Sequence, residues 1–172
     1  MVQSVELLLD DRLDGYVRAQ WESLHTAGID SQQRVRAESN RPHVTLFVAE
    51  TISPAVEEAA SEAVSSVELP ILLGGVVLFG GRHATVARLV VPSAPLLDLQ
   101  ARLFATFSQC PGIPAHIRPG EWTPHVTLAR RVPADRVGAA VVAAHLTPGD
   151  PAGTADRIRR WDGTAKREWR LC

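Results

Sequence analysis

A chain of 172 residues with 45% hydrophobic and 22% charged residues can bury a core of its own without disulfides or a metal. Its net charge of −1 and pI near 6.6 argue against coating duplex nucleic acid by bulk charge, but allow a local site for one or two phosphates. Cys110 and the terminal Cys172 sit in no metal-ligand spacing, and no leader-like or membrane-length apolar run occurs, so a reduced, cytoplasmic protein off the membrane is expected.

Residues 2–9 (VQSVELLL) read as a strand. Between Asp11 and Ala27, Leu13, Val17, Trp21 and Leu24 recur at helical spacing, and Gly28 stops the helix. A polar loop leads to a strand at 43–49, where alternation puts Val44, Leu46 and Val48 on one face and His43, Thr45 and Phe47 on the other. Ser53 and Pro54 open a helix whose apolar face is Val56, Ala60, Ala63, Val64 and Val67. ILLGGVVLF and HATVARLVV, split by Gly80-Gly81, read as a hairpin. Ser93 and Pro95 open a third helix carrying Leu96, Leu99, Leu103, Phe104 and Phe107. A loop rich in Pro and Gly precedes a strand at His125, then a helix near 134–145 and a last segment in which Asp162-Gly163 marks a hairpin turn.

The pentapeptide PHVTL occurs twice, at 42–46 and 124–128. Each copy is preceded by a helix and followed by a helix and a hairpin, which indicates an internal duplication with a period of roughly 80 residues. No Gly/Ser or charged linker separates the halves. The expected architecture is α+β: one two-lobed, pseudo-symmetric domain over residues 1–172, with mostly antiparallel sheets flanked by helices and a cleft between the lobes.

On a strand, His and Thr at i and i+2 share a face, roughly 7 Å apart. Val44/Leu46 and Val126/Leu128 anchor the other face. Two facing copies would bring two imidazoles and two hydroxyls to one cleft. That set suits displacement at phosphorus, which needs a base for the nucleophile, an acid for the leaving oxygen and donors for the non-bridging oxygens. Neither repeat supplies the three or four ligands of a zinc site. The G-x-S-x-G elbow, the P-loop and G-x-G-x-x-G are all absent. Packing accounts for the Val and Leu positions but not for His and Thr opposite them in both copies.

The pair PHVTL and PHVTLAR resembles the two-histidine (2H) phosphoesterase superfamily, marked by two H-x-[ST] motifs on a two-lobed fold. Ala129-Arg130 after the second copy is most similar to the bacterial 2′-5′ RNA ligase and RNA 2′,3′-cyclic phosphodiesterase branch. The first motif departs from that branch: it continues as Phe47-Val48-Ala49-Glu50 instead of aromatic-Leu-Gly, which bears on substrate more than on chemistry. The resemblance implies His43 and His125 as catalytic residues, with His125 as base and His43 as acid, Thr45 and Thr127 as phosphate-binding hydroxyls, and neither metal nor cofactor. It also implies action on RNA ends or cyclic nucleotides and ring opening to a 2′-phosphate; a monomer is expected.

Arg130, Phe47 and Trp122 are further substrate-binding candidates. Strict alternation turns Arg130 away from the cleft unless the strand bulges. Phe47 and Trp122 could stack on a base or pack in the core. The C-terminal segment puts Arg157, Arg159, Lys166 and Arg170 on one strand face with Glu168, read as solvated. Two rival functions stay open: a phosphodiesterase for ADP-ribose cyclic phosphate or 2′-5′ oligoadenylate, and a non-catalytic RNA- or nucleotide-binding module.

Overall fold

The computed structural model describes residues 2–64, 67–145 and 151–171; the terminal Cys172 lies outside them, and the side chain of Ala63 is not described. The elements in chain order are β1 (Gln3–Leu9), α1 (Asp11–Thr26), β2 (His43–Ala49), α2 (Pro54–Ala63), β3 (Leu69–Phe79), β4 (His83–Val90), α3 (Ala94–Phe107), β5 (His125–Pro133), α4 (Val137–His145), β6 (Ala152–Asp162) and β7 (Arg167–Arg170). The helices opened by Ser53 and Ser93 start where the sequence places them, and Asp10 proves to be the cap of α1. Asp10 accepts from the amide of Leu13 at 2.7 Å, and Ser53 and Ser93 accept from those of Val56 and Leu96 at 3.4 Å. Each such cap is worth about 1 kcal/mol. None of the described helices is long and apolar enough to cross a membrane.

The seven strands run antiparallel in the order β2-β1-β6-β3-β4-β5, with β7 also paired to β6. The duplication is visible as β1-α1-β2-α2-β3 followed by β4-α3-β5-α4-β6. The third strand of each half crosses into the other. β3 pairs with β6 over Leu69–Leu72 and with β4 from Leu73 on, while β6 runs on to pair with β1. Gly74-Gly75 lies where β3 changes partner, within an irregular register between Leu73 and Val76. One lobe is therefore β2-β1-β6-β7 and the other β5-β4-β3, joined by exchanged strands. Gly153 lies close at this crossing: a Cβ there would lie 2.8 Å from Asp10 Oδ2 and 3.1 Å from Leu13 Cβ, and so would press on the carboxylate that caps α1.

Both motif strands break strict alternation at the same place. In the β1–β2 pair, Val5 faces Phe47 but Glu6 faces Thr45, so Leu46 is an extra residue. In the β4–β5 pair, Val86 faces Ala129 but Ala87 faces Thr127, so Leu128 is the extra residue. A bulge reverses which face the following side chains occupy. Phe47 is thereby sent into the core, not onto the face of His43 and Thr45. It is 0% exposed and stacks on Phe107 at 4.9 Å, with Phe104 edge-on at 6.1 Å. Val48 turns to the cleft instead.

The C-terminal hairpin also differs from expectation. Its connection is longer than two residues, because the Asp162 carboxylate accepts from the amides of Thr164 and Ala165 at 2.8 and 2.9 Å and Lys166 takes a positive φ of 54°. Arg159 is not on a solvated face; it is 6% exposed.

Candidate active site

β2 and β5 approach one another between the lobes. A cavity of about 1060 Å³ opens there, lined among others by His43, Thr45, Glu6, Arg41, Arg130, Arg159 and Trp161. A small recess of about 20 Å³ adjoins it and brings Thr127 beside His43, Arg41 and Arg130. Of the motif residues, His43 and Thr45 line the cavity and Thr127 the recess beside it; His125 lines neither, although the charge of His43 reaches it.

The two imidazoles are held alike. His43 Nδ1 lies 2.8 Å from the carbonyl of Arg41, and His125 Nδ1 lies 2.7 Å from that of Thr123, each two residues upstream. A carbonyl only accepts, so each Nδ1 carries the proton and each Nε2 is left to take or give one. The backbone under each threonine is fixed by an indole: Trp122 Nε1 donates to the Thr45 carbonyl at 3.1 Å and Trp21 Nε1 to that of Thr127 at 3.0 Å.

Their surroundings differ. The His125 ring lies 4.6 Å from that of Phe79. Burial, together with the charges of His43, Arg130 and His116, holds its pKa below the usual histidine value against the Thr123 carbonyl, which raises it. His125 is therefore neutral at pH 7. His43 Nε2 instead faces Glu6 Oε1 at 3.7 Å, an ion pair whenever His43 is protonated. Burial pushes the Glu6 carboxyl up, but the charges of His43 and Arg159 and hydrogen bonds from Ser4 and Arg159 outweigh it and hold the group below its ordinary value.

Arg130 reaches the cavity because of the bulge at Leu128, which returns it to the face of His125 and Thr127. Phe47 does not reach it, for the opposite outcome of the same device. Trp122 lines neither the cavity nor the recess; it packs against the core, and its N–H is spent on Thr45. Glu6, Arg41, Phe79 and Trp161 were not singled out in the sequence, and Arg159 was read there as solvated. Glu6 had a visible signal: it is the one charge within VQSVELLL, where a purely apolar core strand would carry none. Among the described residues no three His, Cys, Asp or Glu side chains are grouped as a metal ion would require.

A family model described as the 2′-5′ RNA ligase superfamily matches residues 15–166. The chain belongs to the 2′-5′ RNA ligase superfamily. It is thus an enzyme of the 2H phosphoesterase type, with phosphodiesterase or ligase-like chemistry. No curated protein matches it by sequence. Among solved structures it is similar to LigT from Escherichia coli without ligand, at 14% identity and TM-score 0.63, with 99% of this chain and 94% of LigT covered. Usb1 from Kluyveromyces marxianus is similar at 14% identity and TM-score 0.60, covering 99% of this chain and 97% of Usb1. Usb1 has also been solved with uridine monophosphate, and LigT with 3′-AMP. At these identities the likeness establishes the α+β fold of a 2H phosphoesterase.

Proposed function

We propose that this superfamily member is a metal-independent phosphodiesterase that opens 2′,3′-cyclic phosphates of RNA ends or nucleotides. The observation that carries the reading is the matched presentation of His43 and His125, each with Nδ1 tied to a carbonyl and Nε2 left for proton transfer, and close enough for the charge of one to act on the other. His125, held neutral, takes a proton from water as the water oxygen bonds to phosphorus. His43 delivers its proton to the ribose oxygen as the phosphorus–oxygen bond breaks, leaving a phosphomonoester and a free hydroxyl. The hydroxyls of Thr45 and Thr127 donate to the non-bridging oxygens, where charge gathers. With the 5′-hydroxyl of a second RNA end attacking phosphorus in place of water, the same ring opening expels the 3′ oxygen and joins the ends through a 2′-5′ bond.

Arg130 and Arg41 supply positive charge at the cavity. The buried Nε of Arg41 has no hydrogen-bond partner among the described residues, so a donor is unspent there. The nucleotides bound by Usb1 and LigT agree in class with such a substrate.

The test is hydrolysis of a 2′,3′-cyclic mononucleotide and a cyclic-phosphate-ended oligonucleotide, with and without chelator. His43→Ala and His125→Ala should each lower turnover by roughly 10²–10⁴ while remaining folded. Near-parental turnover in either variant ends the two-histidine mechanism. Loss of activity in chelator, restored by a divalent metal, would make the histidines ligands instead.

A further inference from the structure

The two motif strands share one register, so positions in the two lobes can be matched one to one. Thr45 faces Glu6 on β1, and Thr127 faces Ala87 on β4. One strand further, Glu6 faces Arg159, whereas Ala87 faces Val77. The next row matches Trp161 with Phe79, each opposite the residue two before, Ser4 and Thr85. The lobes agree in backbone and in motif. They differ sharply in one feature: the His43 lobe places a buried carboxylate where the His125 lobe has a methyl group.

Glu6 is a built part of that lobe. It is 4% exposed. Its Oε1 accepts from Ser4 Oγ at 2.6 Å, and its Oε2 lies 2.7 Å from both Nε and Nη2 of Arg159. Arg159 is fixed in turn by the Ser39 carbonyl at 2.8 Å and by Glu168. The free side of Oε1 looks at His43 Nε2 across 3.7 Å, too long for a hydrogen bond and short enough for an ion pair. Because Arg41 already fixes the ring through Nδ1, Glu6 is not a tautomer clamp. It acts by charge on the nitrogen that faces the cleft.

We propose that Glu6 is the positioning residue that breaks the equivalence of the two motifs, stabilising the protonated form of His43 and so making His43 the acid and His125 the base. The inference rests on the two-histidine reading above and adds to it a residue outside both motifs. A lone carboxylate at this place would repel a phosphodiester; Arg159, held on Oε2, offsets that charge at longer range, while the free side of Oε1 still faces His43. Glu168 from β7 pairs with Arg159 and lies 4.0 Å from Arg41, and Glu38 and Lys166 also line the cavity. Arg41, Arg130 and His125 oppose a second positive charge on His43, and Glu6 is the buried carboxylate that answers them.

The experiment is an NMR titration of the ring carbons of His43 and His125 in the parent and in Glu6→Gln, beside the pH profile of kcat/KM. In Glu6→Gln, His43 should release its proton at lower pH, with a shift of about one pH unit, equivalent to tenfold in the equilibrium, and the high-pH limb of the profile should move down with it. His125 should move little. If Glu6→Gln unfolds, Glu6→Asp keeps a carboxylate on the strand but draws it back from His43, and His43 should again release its proton at lower pH, by a smaller shift. An unchanged His43 titration in either folded variant overturns the proposal. The titration needs no substrate, so inactivity toward cyclic phosphates would sink the proposed reaction while leaving the role of Glu6 to be decided by NMR.

Discussion

The indole of Trp122 donates to the carbonyl oxygen of Thr45 at 3.1 Å, across 77 residues of chain. Trp21 does the same for Thr127 from the other side of the molecule. The hydroxyl that is proposed to hold the phosphate therefore sits on backbone tied down by a residue outside its own strand. Trp122→Phe keeps the ring and deletes the donor. It should cost about 1–3 kcal/mol through the carbonyl left unpaired, measured by denaturant titration, and should lower kcat more than it raises KM. An unchanged midpoint and unchanged kcat would show that the bond restrains nothing.

The threonines are expected to act in the transition state. Thr45→Val and Thr127→Val keep the side-chain shape and remove the donor to phosphate. Each should lower kcat by roughly tenfold or more with a smaller change in KM. The bell-shaped dependence of kcat/KM on pH should persist, because both imidazoles remain, and its limbs belong to the coupled pair. A variant with parental kcat and KM would make its threonine an ordinary strand former.

Arg130 reaches the cavity only through the bulge at Leu128. Arg130→Ala should raise KM for a cyclic-phosphate-ended oligonucleotide and flatten its rise with added salt, since one contact to an anion is lost. It should also ease the charging of His125, whose pKa Arg130 helps to depress, so the low-pH limb of the profile should move up. A KM that is unchanged at every salt concentration would place Arg130 at the rim without a contact.

Phe47 should prove structural. Phe47→Ala opens a cavity against Phe104 and Phe107 and should cost about 3–5 kcal/mol, whereas Phe47→Leu should keep most of the stability and the parental KM. Thermal melts and KM values together decide this. A folded Phe47→Leu with a strongly raised KM would return the ring to the substrate site.

Stability should fall toward acid in two steps with a fixed sign. His125 has a folded pKa below its ordinary 6.5, so the unfolded chain binds its proton first, and stability drops as pH falls below that value. Glu6 has a folded pKa below its ordinary 4.5, so its contribution is complete above that value and is lost as pH falls through the lowered one. Chemical denaturation across this range should show the first step missing in His125→Gln and the second missing in Glu6→Gln. A parent more stable at pH 4 than at pH 7 would contradict both.

Local patterns alone carried the element order, the helix starts at Ser53 and Ser93, the duplication and the two His-x-Thr motifs: these are written in apolar periodicity, cap chemistry and a repeated pentapeptide. What it left undecided depended on pairing between distant strands. Alternation put Phe47 beside His43 and turned Arg130 away, and the two bulges reversed both, since an extra residue at Leu46 or Leu128 is defined only against the strand it fails to match. The exchange of β3 and β6 between halves is likewise a matter of partners, marked in the chain only by a glycine pair at the crossing. Arg159 lies more than 150 residues from Glu6, and no local pattern tells a buried arginine from a solvated one. The motifs are alike in sequence; tertiary structure makes them unlike, by setting a carboxylate beside His43 and an aromatic ring beside His125, and a histidine takes its protonation from the charge and burial around it rather than from its neighbours in the chain.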